Sequence, residues 1–368
     1  MSSASSLRAW QMAIPPEALR DARVLVTGAT GLVGAEVLEL LRGCGCRELV
    51  GVSRARSADG SAVVAWDMSS EPVPPSLRGS WDVIVHAAAN TRWTMKPAEA
   101  LAANVTSVAA LQPLVGPATL VIHVSTAYAV GLRGDCESEE LGDYRNTYEW
   151  SKAGAERLAR ASFPRLVIVR PPLTIGRRKD GRAARFTGMY LFLRGICSGT
   201  VPALVGVPDA YFDVVPVDDL ASLIVELADD QEVCGGEVLT LAGGAGAPRV
   251  ERAIKLMVEA LNEWRVGEQA SSLAVPPILE PERWNRFFLP FARDHLTARQ
   301  LRTLELLGNF EPYLQMTAPL APTHVVGHAE DAIAASVGHW AQRHRRLALR
   351  APEPWRPAER TEGSAAEA

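Results

Sequence analysis

The chain has 368 residues, 48% hydrophobic and 22% charged, which suits a globular protein built as one large domain with a smaller one attached. A formal net charge of −4 argues against a general nucleic-acid binder, which is usually basic. The five cysteines, at 44, 46, 136, 197 and 234, are odd in number and match no zinc spacing, so they read as reduced thiols of a cytoplasmic protein and no metal is expected. Neither a secretion signal nor an apolar run long enough for a membrane span is visible.

Residues 1–22 are a lead-in without period. Val24-Leu25-Val26 is a short apolar run that ends at a glycine-rich turn, and Val33, Val37, Leu38 and Leu41 then recur at helical spacing. Further strands are predicted at 48–53, 62–66, 81–86, 120–124, 165–169 and 237–241, with helical stretches between most of them. Near-continuous apolar strands alternating with helices imply a parallel sheet covered on both faces. After Gly243 the pattern turns helical, at 250–266, 281–293, 297–307 and 329–349. The expectation is an α/β protein: a doubly wound parallel Rossmann sheet with a smaller, mostly helical C-terminal substrate lobe. Its bounds are a lead-in at 1–22, a dinucleotide domain at 23–175 plus 213–243, a substrate lobe at 176–212 plus 244–350, and a disordered tail at 351–368.

The stretch Thr27-Gly28-Ala29-Thr30-Gly31-Leu32-Val33-Gly34 joins the first strand to the first helix. Glycines there permit the tight turn, the approach of backbone to a diphosphate and close helix–strand packing, and the helix N-terminus favours the anion. The second strand selects the cofactor. NAD sites usually end it with an acid for the ribose 2′-hydroxyl, whereas here Ser53-Arg54-Ala55-Arg56 offers two guanidiniums that suit a 2′-phosphate, hence NADP(H). Solvated loop charges are the plainer reading of Arg54 and Arg56.

Tyr148 and Lys152 are four residues apart, on one helical face. A neighbouring ammonium is expected to lower the phenol's pKa toward use in proton transfer. The fifth strand ends in Ser125-Thr126, where a hydroxyl can meet a substrate oxygen; Thr126 is the catalytic choice and Ser125 its rival.

Together these residues resemble the extended short-chain dehydrogenase/reductase superfamily over residues 22–243. The resemblance implies cofactor contacts from Asp67-Met68 after the third strand, Ala87-Ala88-Ala89 after the fourth, Asn104, and Pro171-Pro172-Leu173 after Arg170. Within the superfamily the chain is similar to the thioester reductases, which include fatty acyl-CoA reductases and terminal reductase domains. That likeness rests on His86-Ala87-Ala88-Ala89 with Trp93, His123 to Tyr128, Asn146 to Lys152, Asp213 to Asp218, and the 181–190 segment. It implies a catalytic Thr126–Tyr148–Lys152 set, NADPH, and an acyl thioester carried on CoA or on a carrier protein. Trp93 is a candidate for the acyl pocket, and Arg177 and Arg178 are candidates for CoA phosphates or an acidic carrier, against a solvated loop. Two other readings remain: a nucleotide-sugar epimerase, dehydratase or reductase (or a ketone reductase), which shares these residues, and a non-catalytic NADP(H) sensor, which usually lacks the Tyr or the Lys.

Overall fold

The computed structural model describes residues 17–54, 63–230, 232 and 235–352. Arg56, most of the lead-in and nearly all of the tail lie outside these. The chain forms two units, one of Met1–Phe186, Asp213–Ala247 and Pro319–Ser336, the other of Thr187–Phe212, Pro248–Ala318 and Val337–Ala368.

The first unit is built on a wholly parallel eight-stranded sheet. Its strands are β1 (Arg23–Thr27), β2 (Glu48–Ser53), β3 (Val63–Ala65), β4 (Val83–His86), β5 (Leu120–Val124), β6 (Arg165–Arg170), then Val238–Ala242 and His324–Val325. Their spatial order is β3-β2-β1-β4-β5-β6, continued by Val238–Ala242 and then His324–Val325. The order reverses between β1 and β4, the crevice where doubly wound sheets take ligands. Both faces are buried because successive side chains go to opposite cores. Val24, Val26, Ile122, Val167 and Val169 pack with helix α1 (Leu32–Leu41) and the Val217–Asp229 helix. Leu25, Ile84, Val121 and Ile168 pack instead with Val108, Leu111 and the Ala155 and Ala159 face of the Thr147–Ser162 helix.

The unit boundaries depart from the expected ones at two places. Residues 176–186 stay with the sheet, where a Cβ on Gly181 would stand 2.0 Å from the Ala335 carbonyl oxygen. Residues 319–336 also return to it, and His324–Val325 forms its last strand. That strand is too short to show a period.

The second unit is mostly helical. Tyr190–Cys197 is an amphipathic helix whose Phe192 ring lies 4.8 Å from that of Phe310. Val250–Gly267 carries the buried row Ile254, Met257, Val258 and Leu261. Arg265 is buried on the same helix because backbone carbonyls receive its guanidinium, Ser271 at 2.7 Å and Ala348 among them. The expected helix at 281–293 is interrupted by a π-helical turn at Trp284–Phe288. Ala298–Gly308 opens with a capping box between Thr297 and Gln300. No helix among the described residues is long and apolar enough to cross a membrane, and none of their His, Cys, Asp and Glu side chains cluster as a metal would need.

Candidate active site

A cleft lies over the β1–β4 crevice. Its floor is the glycine turn. Gly28 has φ +70°, and a Cβ there would meet the Ala87 carbonyl oxygen at 2.6 Å. Gly34 packs as tightly: a Cβ would stand 2.3 Å from the Gly28 carbonyl oxygen. Side chains are therefore excluded where a diphosphate needs bare backbone at the start of α1. Gly28, Thr30, Gly31, Ser53, Arg54, Asp67, Met68 and Ala87–Ala89 all border the cleft. Asp67 is held below the usual carboxylate range by hydrogen bonds from Ser69. The lining suits a nicotinamide dinucleotide: a bare backbone cradle, an acid on the adenosine side and Arg54 at the end of β2.

Several expected cofactor residues serve otherwise. Leu32 and Val33 form the first turn of α1 and do not border the cleft. Asn104 is buried in a π-helical turn at Ala102–Thr106. Its amide accepts from the Asn90 N–H at 2.8 Å and donates to the Ser151 hydroxyl at 2.9 Å, so it braces the helix that carries Tyr148 and does not face the cleft. Pro171 accepts from the Ala127 N–H at 2.9 Å, and neither it, Pro172 nor Leu173 borders the cleft. Asn90 and Ser107 border it and were not singled out by the sequence; Arg185, which the sequence offered only within the 181–190 likeness and with no cofactor role, borders it too. Arg185 sits beside the glycine turn and donates to the Thr30 carbonyl at 3.1 Å. Only its tertiary placement, not a spacing, identifies it.

The chemistry-bearing groups come from two elements. Thr126 caps the short turn after β5, its hydroxyl accepting from the Tyr128 N–H at 3.4 Å. Asn146 caps the Thr147–Ser162 helix by accepting from the Glu149 N–H at 3.0 Å, which fixes where Tyr148 begins. The Thr126 hydroxyl is near enough to the Tyr148 phenol to lower its pKa, and neither residue borders the cleft. One turn on, Lys152 is buried and donates to the Val124 carbonyl at 2.8 Å, with His123 Nε2 at 3.2 Å. Ser125 is buried facing the Glu156 carboxylate, not Tyr148.

The expected electrostatics of the phenol need correction. Burial, reinforced by the Glu149 charge, pushes Tyr148 well above its ordinary value, and the Thr126 hydroxyl opposes this only in part. Lys152 does not draw it down, because its ammonium is turned to Val124 and His123. Burial lowers Lys152 itself to about 8, against the Glu156 charge.

The arginines expected to meet substrate phosphates are also corrected. Arg177 pairs with Glu36 at 2.6 Å and Glu39 at 2.9 Å. Arg178 pairs with Asp219 and donates to the His328 carbonyl at 2.9 Å, while the Arg178 N–H reaches Asp218 at 2.9 Å. Both guanidiniums are spent inside the unit. Asp213, from the same sequence motif as Asp218, takes the Gly243 and Gly244 N–H groups at 2.8 Å each. Trp93 contributes its carbonyl to the Thr147 hydroxyl at 3.2 Å and does not border the cleft.

Residues 70–224 match the family model described as "Male sterility protein". No curated protein sequence matches the chain. Among solved structures, the terminal R domain of the myxalamid PKS-NRPS biosynthetic pathway is similar at 21% identity, covering 91% of this chain and 93% of that one, with TM-score 0.64. A thiolation-reductase di-domain of an archaeal non-ribosomal peptide synthetase is 16% identical over 89% of this chain and 77% of that one, TM-score 0.58. The Bordetella bronchiseptica enzyme WbmH, solved with NAD+, is 16% identical over 88% and 99%, TM-score 0.59. The fold is that of an extended short-chain dehydrogenase/reductase. The match over 70–224 agrees with the thioester-reductase branch read from the sequence. The matched stretch contains all three of Thr126, Tyr148 and Lys152.

Proposed function

We propose that the chain is an NADPH-dependent reductase of acyl thioesters, presented on CoA or on a carrier protein. The observation that carries this is the convergence of two segments at the carboxyl end of β5: Thr126 caps the turn there, and Lys152, one turn after Tyr148 on the Thr147–Ser162 helix, donates to the Val124 carbonyl. Arg54 at the end of β2, with no acid there, supports NADPH over NADH. Bound NADPH supplies a hydride for the thioester carbonyl. Thr126 and Tyr148 donate hydrogen bonds to the oxygen as negative charge grows on it. Tyr148, kept protonated by burial, is the group that gives that oxygen its proton. Collapse of the resulting hemithioacetal breaks the C–S bond and releases thiol and aldehyde. Lys152, held by the Val124 carbonyl and His123, supplies a positive charge at the end of β5.

The test is purified protein with NADPH and acyl-CoAs of graded chain length, followed at the nicotinamide absorbance with the aldehyde trapped as it forms. Thioester-dependent NADPH oxidation with equimolar thiol release is expected. Turnover of a nucleotide sugar or a simple ketone, with none of any thioester, would overturn the reading. Dinucleotide binding without any turnover would favour a sensor.

A further inference from the structure

Two imidazoles are buried behind the lysine. His86 on β4 and His123 on β5 are register partners, each 1% exposed, with rings stacked at 5.3 Å and 21°. His86 is held at both ends. Its Nδ1 lies 2.8 Å from the Thr27 hydroxyl and its Nε2 3.5 Å from the Ser107 hydroxyl. Thr27 Oγ1 already accepts from the Ala88 N–H, so its hydrogen is free for Nδ1; Ser107 already donates to the Asn104 carbonyl, so its oxygen is free for Nε2–H. That pattern selects a neutral ring with the proton on Nε2.

His123 has a different partner. Its Nε2 faces Lys152 Nζ at 3.2 Å, and its buried Nδ1 has no hydrogen-bond partner. Burial and the nearby Lys152 charge push both imidazoles far below the usual histidine range, His86 to about 3. A second cation beside the ammonium is disfavoured, so His123 stays an acceptor at Nε2. Of the three ammonium N–H bonds, the Val124 carbonyl takes one and His123 another. The other charged groups around Lys152 leave this arrangement intact. Glu156, one turn on, is engaged by Arg170 at 2.6 Å and Arg160 at 2.9 Å, and Tyr148, one turn before, is near the Thr126 hydroxyl.

We propose that His123 is a positioning residue for Lys152: its Nε2 lone pair, with the Val124 carbonyl, fixes two ammonium N–H bonds and leaves one for the dinucleotide and Tyr148. The stacked His86 fixes the plane of the ring. A carboxylate in this place would hold the lysine more strongly charged, whereas a neutral imidazole orients it without adding charge. The proposal rests on the reductase reading for its kinetic consequences, but not for its geometry.

The geometry is tested by nitrogen NMR of the ligand-free protein carrying 15N-labelled histidine. His123 Nε2 is expected unprotonated and Nδ1 protonated across pH 6–8, and the Nε2 signal is expected to move in Lys152→Met. Protonation of Nε2, or a signal indifferent to Lys152→Met, would overturn the proposal whether or not any thioester is turned over. Kinetics give a second reading. His123→Phe keeps a ring in the stack but removes the acceptor, and kcat is expected to fall about 10–100-fold with little change in the thioester KM. His123→Gln, with an amide oxygen as substitute acceptor, is expected to recover part of the loss. A His123→Phe protein that melts lower yet keeps its kcat and pH profile would make His123 an ordinary core residue. Inactivity of the unaltered protein toward every thioester would count against the reductase reading alone, and the NMR result would still decide the role of His123.

Discussion

Burial keeps the Tyr148 phenol protonated at neutral pH, which is the form a carbonyl reduction needs as proton donor. Replacing it with Phe should lower kcat by about 10²–10⁴-fold while dinucleotide affinity, read by fluorescence titration, stays unchanged. Lys152, lowered to about 8, sets a different limit. Its ammonium is present below that pH, so kcat should decline as pH rises through about 8, and Tyr148 should not contribute to that limb. The same burial costs stability. A lysine whose folded value lies below its unfolded one destabilises the native state fully below about pH 8, and the penalty vanishes above its ordinary value of 10.5. The shift corresponds to a penalty on the order of 3 kcal/mol at neutral pH. Lys152→Met should therefore melt at a higher temperature than the natural protein at pH 7 while losing activity, as calorimetry beside a kinetic assay would show. Arg54→Ala should weaken NADPH binding about 10-fold or more and leave NADH binding nearly unchanged, as titrations with both would reveal. Arg185 lies at the glycine turn, so its removal should weaken both dinucleotides alike.

At the scale of elements, most of the sheet was readable because a parallel strand buried on both faces is a nearly continuous apolar run. The predicted ends of β2 and β5 coincide with those observed, at 48–53 and 120–124. The glycine turn was readable for the same local reason. Gly28→Ala should abolish dinucleotide binding, since its φ of +70° and the 2.6 Å approach of Ala87 leave no room for a methyl group. Binding undiminished in that variant, by titration, would refute the cradle. What escaped the sequence is tertiary. The π-helical turn that buries Asn104 has no simple period. Arg177 and Arg178 looked available because their partners, Glu36, Glu39 and Asp219, lie far away in the chain. The orientation of the Lys152 ammonium depends on His123, 29 residues before it and on another element.

At the scale of the whole chain, the two units interleave: each is assembled from three stretches of sequence. Composition changes after Gly243 suggested one late lobe, but pattern alone could not show that 319–336 returns to the sheet. The buried Glu156 carboxylate, paired with Arg160 and Arg170, belongs to this scale as well, because it ties the Thr147–Ser162 helix to β6. Glu156→Gln should lower stability by about 1–3 kcal/mol by weakening the charge-assisted bond from the half-buried Arg170, measurable by denaturant unfolding.

The strand at His324–Val325 has one more consequence, for biosynthesis. It pairs in register with Leu241 and Ala242, so a ribosome must deliver the chain beyond Val325 before the sheet acquires this terminal ribbon. A nascent chain that has emerged only as far as Ala247 presents an unprotected backbone ladder, the kind of border that recruits neighbouring polypeptides into aggregates.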